Sequence, residues 1–274
     1  MNHHPRIFVA GCGYTGARCA DFFSAAGCEV TGLVSSSASA GRLADKPYEV
    51  MAGDAADANA LRAMLSTRER PQVLVHCLSG HGGRDAAAYR MTYVETLRHL
   101  LEILRPEFCV FTSSTSVYAQ NDGQTVTEDS ITGGTPTGDV LLEAENLAQA
   151  AGGAAVRLGG IYGPGRARFI QAAREGEAIG AGQPDGFINF IHRDDAAAAL
   201  VHVARQRLGG VFNAVDNHPA ARSALQEALR AGTDTLSLPV GALAGKQVSN
   251  EKLRETGWAP RYPSILDAVR ESAV

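Results

Sequence analysis

The feature that most narrows what this chain can fold into is Gly11-Cys12-Gly13-Tyr14-Thr15-Gly16, directly after the apolar run Ile7–Val9. Three glycines at that spacing, following a strand and opening a helix, meet three separate demands. The first permits a tight turn, the second lets the backbone approach a pyrophosphate, and the third lets the helix pack closely on the strand. Phosphates then sit over the N-terminus of the helix, where free N–H groups and the positive end of the dipole favour an anion. Cys19, Phe22, Phe23 and Ala26 recur at helical spacing, which gives this helix one buried face and an end at Gly27. The whole lies within a βαβ unit of about 30 residues, the context in which such a motif carries weight. The competing reading is a structural turn in the same kind of fold after loss of its ligand.

The alternation continues. Glu29–Val34 reads as a strand, a further strand ends at Met51 before Gly53-Asp54, and a helix follows around Asn59–Leu65. Val73–Leu78 is a continuous apolar run of the kind a sheet covered on both faces requires. Tyr93, Val94, Leu97, Leu100, Leu101 and Leu104 mark a helix stopped by Pro106, and Phe108–Thr112 is a strand. Val140–Ala151 reads as a helix with Leu141, Ala144, Leu147 and Ala148 on one side, followed by a strand at Ala155–Leu158. Repeated βα units predict an α/β protein with a doubly wound parallel Rossmann sheet and helices on both faces. After about residue 163 the rhythm breaks. Gly163–Asn189 and Asn217–Tyr262 read as a smaller substrate-covering lobe, while Ala196–Ala204 and Val211–Val215 rejoin the sheet. The expected division is therefore 1–162 with 190–215 for the dinucleotide-binding domain, and 163–189 with 216–274 for the lobe. Ser35–Ser39 reads as a loop.

Composition excludes several classes. A formal net charge of -4 provides no basic field, so nucleic acid is not an expected partner. No apolar run reaches the roughly 18 residues of a membrane helix, and Met1–Arg6 is too polar to read as a signal peptide. The five cysteines are odd in number, irregularly spaced and without Cys-x-x-Cys, which predicts a reduced, cytoplasmic protein with neither structural disulfides nor zinc. His3 and His4 read as frayed terminal residues rather than half of a metal site.

The position that reads the cofactor's ribose is unusual. A carboxylate expected about 20 residues beyond the glycines would fall at Leu33–Ser37, and none is there. Ser35 and Ser36 hold the strand end, with Arg42 shortly after. A carboxylate would repel a 2′-phosphate, so its absence leaves NADP open beside NAD. Arg42 either meets that phosphate or is a solvated loop residue. Asp54, at the next strand end, either contacts an adenine edge or caps its own turn. The cofactor set read from the sequence is thus Gly11, Cys12, Gly13, Tyr14, Thr15, Gly16, Ser35, Ser36, Arg42 and Asp54.

Further segments fall in a recognisable order: Phe111-Thr-Ser-Ser-Thr-Ser-Val-Tyr118, Thr127-Glu-Asp129, Arg157-Leu-Gly-Gly-Ile-Tyr-Gly-Pro-Gly165, Asn189-Phe-Ile-His-Arg-Asp-Asp195 and Val248-Ser-Asn-Glu-Lys-Leu-Arg-Glu-Thr-Gly-Trp258. With the glycine turn, this set resembles the extended short-chain dehydrogenase/reductases, the NAD-dependent epimerase/dehydratase family, over nearly the whole chain. The resemblance implies a Rossmann domain, a smaller C-terminal lobe, a nicotinamide cofactor and a Ser/Thr, Tyr and Lys catalytic set. Ser114 matches the serine that hydrogen-bonds the substrate oxygen. Where the family's Tyr-x-x-x-Lys belongs, the chain has Thr137 and Leu141, with Glu145 matching the glutamate that follows. A threonine hydroxyl is too weak an acid to replace a phenol, and leucine offers neither charge nor donor. The chain thus resembles an atypical branch without the usual dyad.

Tyr118 and Tyr162 are the tyrosines in family motifs that could supply the proton, each weighed against a packing role. His81, in Ser-Gly-His-Gly-Gly, is either an acid/base or a solvated loop residue. His192 reads as a scaffold position. Asp194 and Asp195 read as helix caps and dipole partners rather than a metal pair. The leading expectation is an NAD(P)-dependent oxidoreductase or epimerase on a small polar or sugar-like substrate, with Ser114 and Tyr162 as the candidate catalytic residues. The alternative is a non-catalytic dinucleotide-binding redox sensor or regulatory protein. By analogy with family dimers, helices around Tyr93–Leu104 and Val140–Ala151 would form a homodimer contact.

Overall fold

The computed structural model describes residues 4–80, 83, 85–177, 179–180, 182–237 and 241–274. Strand β1 (Arg6–Ala10) leads through the glycine turn into α1 (Tyr14–Ala25) and returns as β2 (Glu29–Val34). A short helix α2 (Ser37–Gly41), β3 (Glu49–Ala52), α3 (Ala58–Leu65) and β4 (Val73–His76) follow. The next helical stretch is α4 (Ala86–Tyr89), a π-helical segment over Arg90–Glu95, and α5 (Thr96–Leu104), leading to β5 (Phe108–Ser114). Helix α6 (Pro136–Ala150) precedes the strand Ala154–Leu158, and the helix Arg193–Gln206 precedes the strand Gly210–Ala214.

These strands form one seven-stranded parallel sheet, in the order 210–214, 154–158, β5, β4, β1, β2, β3. Ile7 pairs with Val30 on one side and with Val73 on the other. The order reverses between β1 and β4, and a reversal of this kind opens a crevice beyond the carboxyl ends of the two strands. Right-handed crossovers then place α1 on one face and α3 and α5 on the other, and α3 does contact α5. The doubly wound Rossmann architecture is therefore as the βα rhythm predicts.

Three local differences from the sequence reading have physical causes. The serine run is not wholly loop, because Ser36 caps α2 by accepting the Ser39 N–H. Helix α6 begins at Pro136 rather than Val140, because Thr135 caps it and Pro136 sits where a missing N–H costs nothing. The helix before Pro106 starts well upstream of Tyr93 and carries the π-helical segment.

Contacts divide the chain into two compact units. The first comprises residues up to Val117, Gly133–Arg157 and Ala197–Phe212; the second comprises Tyr118–Thr132, Leu158–Ala196 and Asn213–Val274. In the second unit Gly160–Tyr162 pairs in parallel with Phe190–His192, and Phe187–Ile188 pairs antiparallel with Ala220–Ala221. Its core gathers Tyr162, Ile170, Leu225, Leu229, Tyr262 and Ile265. Asp195 ties this unit together by accepting the backbone N–H groups of Arg261 and Tyr262 at 2.7 and 3.0 Å.

The first unit buries a charge network. The Arg157 guanidinium makes two bonds to the Glu145 carboxylate, at 2.9 and 2.7 Å, and Ser113 Oγ donates to the same carboxylate at 2.6 Å. Both charged side chains are at most 5% exposed. Glu145→Ala leaves Arg157 buried without its counter-charge, and a loss of about 3–5 kcal/mol in unfolding free energy is expected from urea denaturation.

His76 gives the fold a pH dependence. Its Nε2 lies 2.9 Å from Thr96 Oγ1, whose own proton is donated to the Thr92 carbonyl, so the neutral ring donates through Nε2. Burial lowers the His76 pKa from 6.5 to about 4. Between those values the unfolded chain binds a proton that the folded chain does not. Stability contributed by the neutral ring is therefore lost as pH falls through this window, by roughly 3 kcal/mol in total. Unfolding curves at pH 7 and pH 4.5 are expected to differ less in His76→Gln than in the parent.

Candidate functional site

The glycine turn is shaped by contacts that leave little choice of residue at two of its three glycines. Gly11 has φ +90°, and a Cβ there would lie 2.7 Å from the backbone of Cys77 and Leu78. A Cβ on Gly16 would lie 2.1 Å from the Gly11 carbonyl oxygen. These approaches seat the start of α1 against the ends of β1 and β4. The N–H groups of Gly11 and Cys12 both donate to the Leu33 carbonyl at 2.9 Å, which fixes the turn to the end of β2. Gly13 differs: a Cβ there would meet nothing within 4 Å. The space above it is open.

That space belongs to a cleft of about 460 Å³ lined by Gly11, Cys12, Gly13, Tyr14, Ser35, Ser39, Arg42, Cys77, Leu78 and Ser79, with Ala17, Val34 and Leu43. Of the residues expected from the sequence, Gly11–Tyr14, Ser35 and Arg42 line it together. Thr15 and Gly16 lie behind them, buried in α1. Ser36 joins through Ser39, since their hydroxyls are 3.1 Å apart. Asp54 is not among the lining residues; its Oδ1 accepts the Ala56 N–H at 2.9 Å, a turn-capping bond. Ser39, Cys77, Leu78 and Ser79 were not singled out from the sequence. The signal available for the last three was the run ending at Leu78, because a strand neighbouring the glycine turn delivers its end to the same crevice.

Burial pushes the Cys12 thiol up to about 12 and the Cys77 thiol up to about 11, so both stay protonated near neutral pH. The helix start offers donors instead: the first N–H groups of α1 have no acceptor within their own helix. An anion whose oxygens approach Gly13 closely would satisfy them.

Ser114, at the end of β5, is part-exposed, and its Oγ accepts the Ser116 N–H at 3.2 Å. Thr137 is part-exposed and Leu141 is 3% exposed, both on α6. The tyrosines of the later motifs belong to the second unit. Tyr118 is buried and donates to Asn213 Oδ1 at 2.6 Å. Tyr162 is buried in the core of its unit, edge-to-face with Phe190 and His192. Burial, and then the carboxylates of Asp216, Asp195 and Asp267, raise the pKa of its phenol well above the usual tyrosine value. His192 is buried and bridges two backbone groups, accepting the Asp194 N–H on Nδ1 and donating from Nε2 to the Ala273 carbonyl. Among the described residues no cluster of His, Cys, Asp or Glu could hold a metal, and no helix is long and apolar enough to cross a membrane. His81 and His3 lie outside the described residues.

Comparison with known proteins assigns the family. The model of the NAD dependent epimerase/dehydratase family matches residues 7–214. The chain belongs to that family. A solved structure assigned as an NAD-dependent epimerase/dehydratase from Methylobacillus flagellatus is 31% identical, with a TM-score of 0.82 over 98% of this chain and 97% of that one. UDP-glucose 4-epimerase of Thermotoga maritima, solved with UDP-glucose, is 18% identical with a TM-score of 0.77, covering 97% of this chain and 99% of its own. The dTDP-glucose 4,6-dehydratase of Bacillus anthracis, solved with NAD, is 19% identical with a TM-score of 0.75, covering 97% and 96%. The last two likenesses concern the fold. No curated protein matches the chain in sequence.

The glycines separate experimentally. Gly13→Ala places a methyl in open space, so its stability is expected within about 0.5 kcal/mol of the parent, while dinucleotide binding, read by calorimetry, is lost. Gly16→Ala is expected to lose stability instead, by about 1–3 kcal/mol or more, because the new methyl overlaps the Gly11 carbonyl. Thermal unfolding of the two variants side by side makes the check.

Proposed function

We propose that the protein is an NAD(P)-dependent oxidoreductase or epimerase acting on a small polar, sugar-like substrate, with the dinucleotide pyrophosphate on the Gly11–Gly16 turn. The carrying observation is the open Cβ position of Gly13 beside the cleft, flanked by two glycines that the fold itself requires. A turn needed only for packing has no use for the middle glycine. Family membership supports a nicotinamide cofactor, and the sugar-nucleotide ligands of related structures support the substrate class.

When bound, the nicotinamide ring supplies a site that accepts or returns a hydride. The remaining work falls to the chain. The start of α1 holds the phosphates through backbone N–H groups. Ser114 Oγ, already accepting the Ser116 N–H, keeps its own proton to donate to a substrate oxygen. The proton that family members move with tyrosine and lysine has no such source at Thr137 and Leu141. The raised pKa of Tyr162 weighs against its phenol as the replacement. The active site in this reading is non-standard, and a group other than the usual dyad handles the proton.

The buried, apolar Leu141 also favours a second reading, a dinucleotide-binding protein without catalysis that reports the form of its cofactor. Such a sensor requires unequal affinity for those forms. Calorimetric titration with NAD+, NADH, NADP+ and NADPH, followed by nicotinamide absorbance against a panel of carbonyl compounds and sugar nucleotides, separates the two. Binding with turnover of at least one substrate is expected. Binding without turnover, with about tenfold or greater preference for one form, would select the sensor. No binding of any form would remove both.

A further inference from the structure

We infer that the cleft is built for an adenosine carrying a 2′-phosphate, and so for NADP(H) over NAD(H), with Arg42 and Ser39 as the residues that read the phosphate. This rests on the reading of the glycine turn as a dinucleotide seat. It departs from the NAD preference in the family's description.

Three observations carry it. The first is charge. Among the described residues lining the cleft, Arg42 is a cation and none is a carboxylate. Nearby cations are already committed: Lys46 Nζ lies 2.8 Å from Asp21, and Arg18 lies 3.9 Å from the same carboxylate. Arg42 is bonded to a hydroxyl instead, its Nη2 donating to Ser39 Oγ at 2.8 Å.

The second is hydrogen-bond polarity. A hydroxyl has one proton to give and two lone pairs. Ser39 Oγ accepts from Arg42 Nη2 and from Ser36 Oγ, which fills both lone pairs, and its backbone N–H is held by Ser36 Oγ at 3.3 Å. What remains for a ligand is the Ser39 proton, together with the further N–H groups of Arg42. A ribose diol is held by a carboxylate acceptor, and this corner offers a donor pair. A phosphate, with acceptor oxygens and negative charge, is its complement.

The third is position. Ser35 directly follows Val34, the last residue of β2, and lines the cleft beside Arg42 and the glycine turn. Serine there leaves room for a phosphate and does not repel it.

The test uses the full-length protein in calorimetric titrations with NADP+, NAD+, 2′,5′-ADP and 3′,5′-ADP. NADP+ is expected to bind about 10–100-fold more tightly than NAD+, the scale of one or two hydrogen bonds to a charged group. The 2′,5′ isomer is expected to bind more tightly than the 3′,5′ isomer, which distinguishes a 2′-phosphate from one carried elsewhere on the ribose. Arg42→Ala should bring NADP+ down to the affinity of NAD+, and Ser35→Asp should reverse the preference; both side chains are exposed, so neither substitution endangers the fold. Equal or tighter binding of NAD+, or an Arg42→Ala variant with the parental ratio, would overturn the inference and leave the glycine turn's role intact. Binding of neither dinucleotide would overturn that role and the inference together.

Discussion

The cleft end of the first unit depends on how closely the backbone of Gly16 comes to the carbonyl of Gly11. That approach sets the direction in which α1 leaves β1, and the Leu33 carbonyl, holding two successive N–H groups of the turn, fixes the turn to β2. The contact of Gly11 with Cys77 and Leu78 then brings the end of β4 against the same turn. Three sheet strands and one helix are thus located by main-chain contacts rather than by side-chain packing. The cleft is what such an arrangement leaves open, so its outline is a property of the backbone and its selectivity is left to a few side chains around the edge.

A second constraint acts on the other half of the sheet. Glu145 on α6 meets Arg157 on the following strand and Ser113 on β5, all out of water. An ion pair in such a place is costly to desolvate and costlier to break, so it specifies how α6 lies along β5 more than it adds net stability. It also places Ser114, the next residue of β5, and the first turns of α6, where Thr137 and Leu141 lie. The frame around Ser114, Thr137 and Leu141 is thus set by a buried charge pair rather than by apolar packing alone. Glu145, four residues beyond Leu141, is held in that network by Arg157 and Ser113.

Much of the fold was legible because parallel strands covered on both faces leave long apolar runs, and the helices between them carry a clear period. The strand Glu29–Val34 has the same limits in sequence and in structure. The start of α6 was harder, since its cap lies upstream of the first apolar residue and periodicity begins only at Val140. In the second unit the strands are two or three residues long and carry no period at all. The site divides in the same way. Gly11, Gly13 and Gly16 are readable because their spacing states a backbone geometry. Cys77, Leu78 and Ser79 reach the cleft because β4 lies beside β1, an adjacency set by topology across more than 60 positions of sequence. Ser39 escaped notice because its role depends on which of its hydrogen-bonding positions are already taken, and only the folded chain determines that.

The three glycines also differ in how they would age. Positions 11 and 16 are held by the fold: any descendant that keeps the sheet must keep them, whatever it binds. At position 13 an added side chain would meet nothing, so packing alone does not demand glycine there. Of the three, the glycine that packing least requires is the one whose bare backbone faces the cleft.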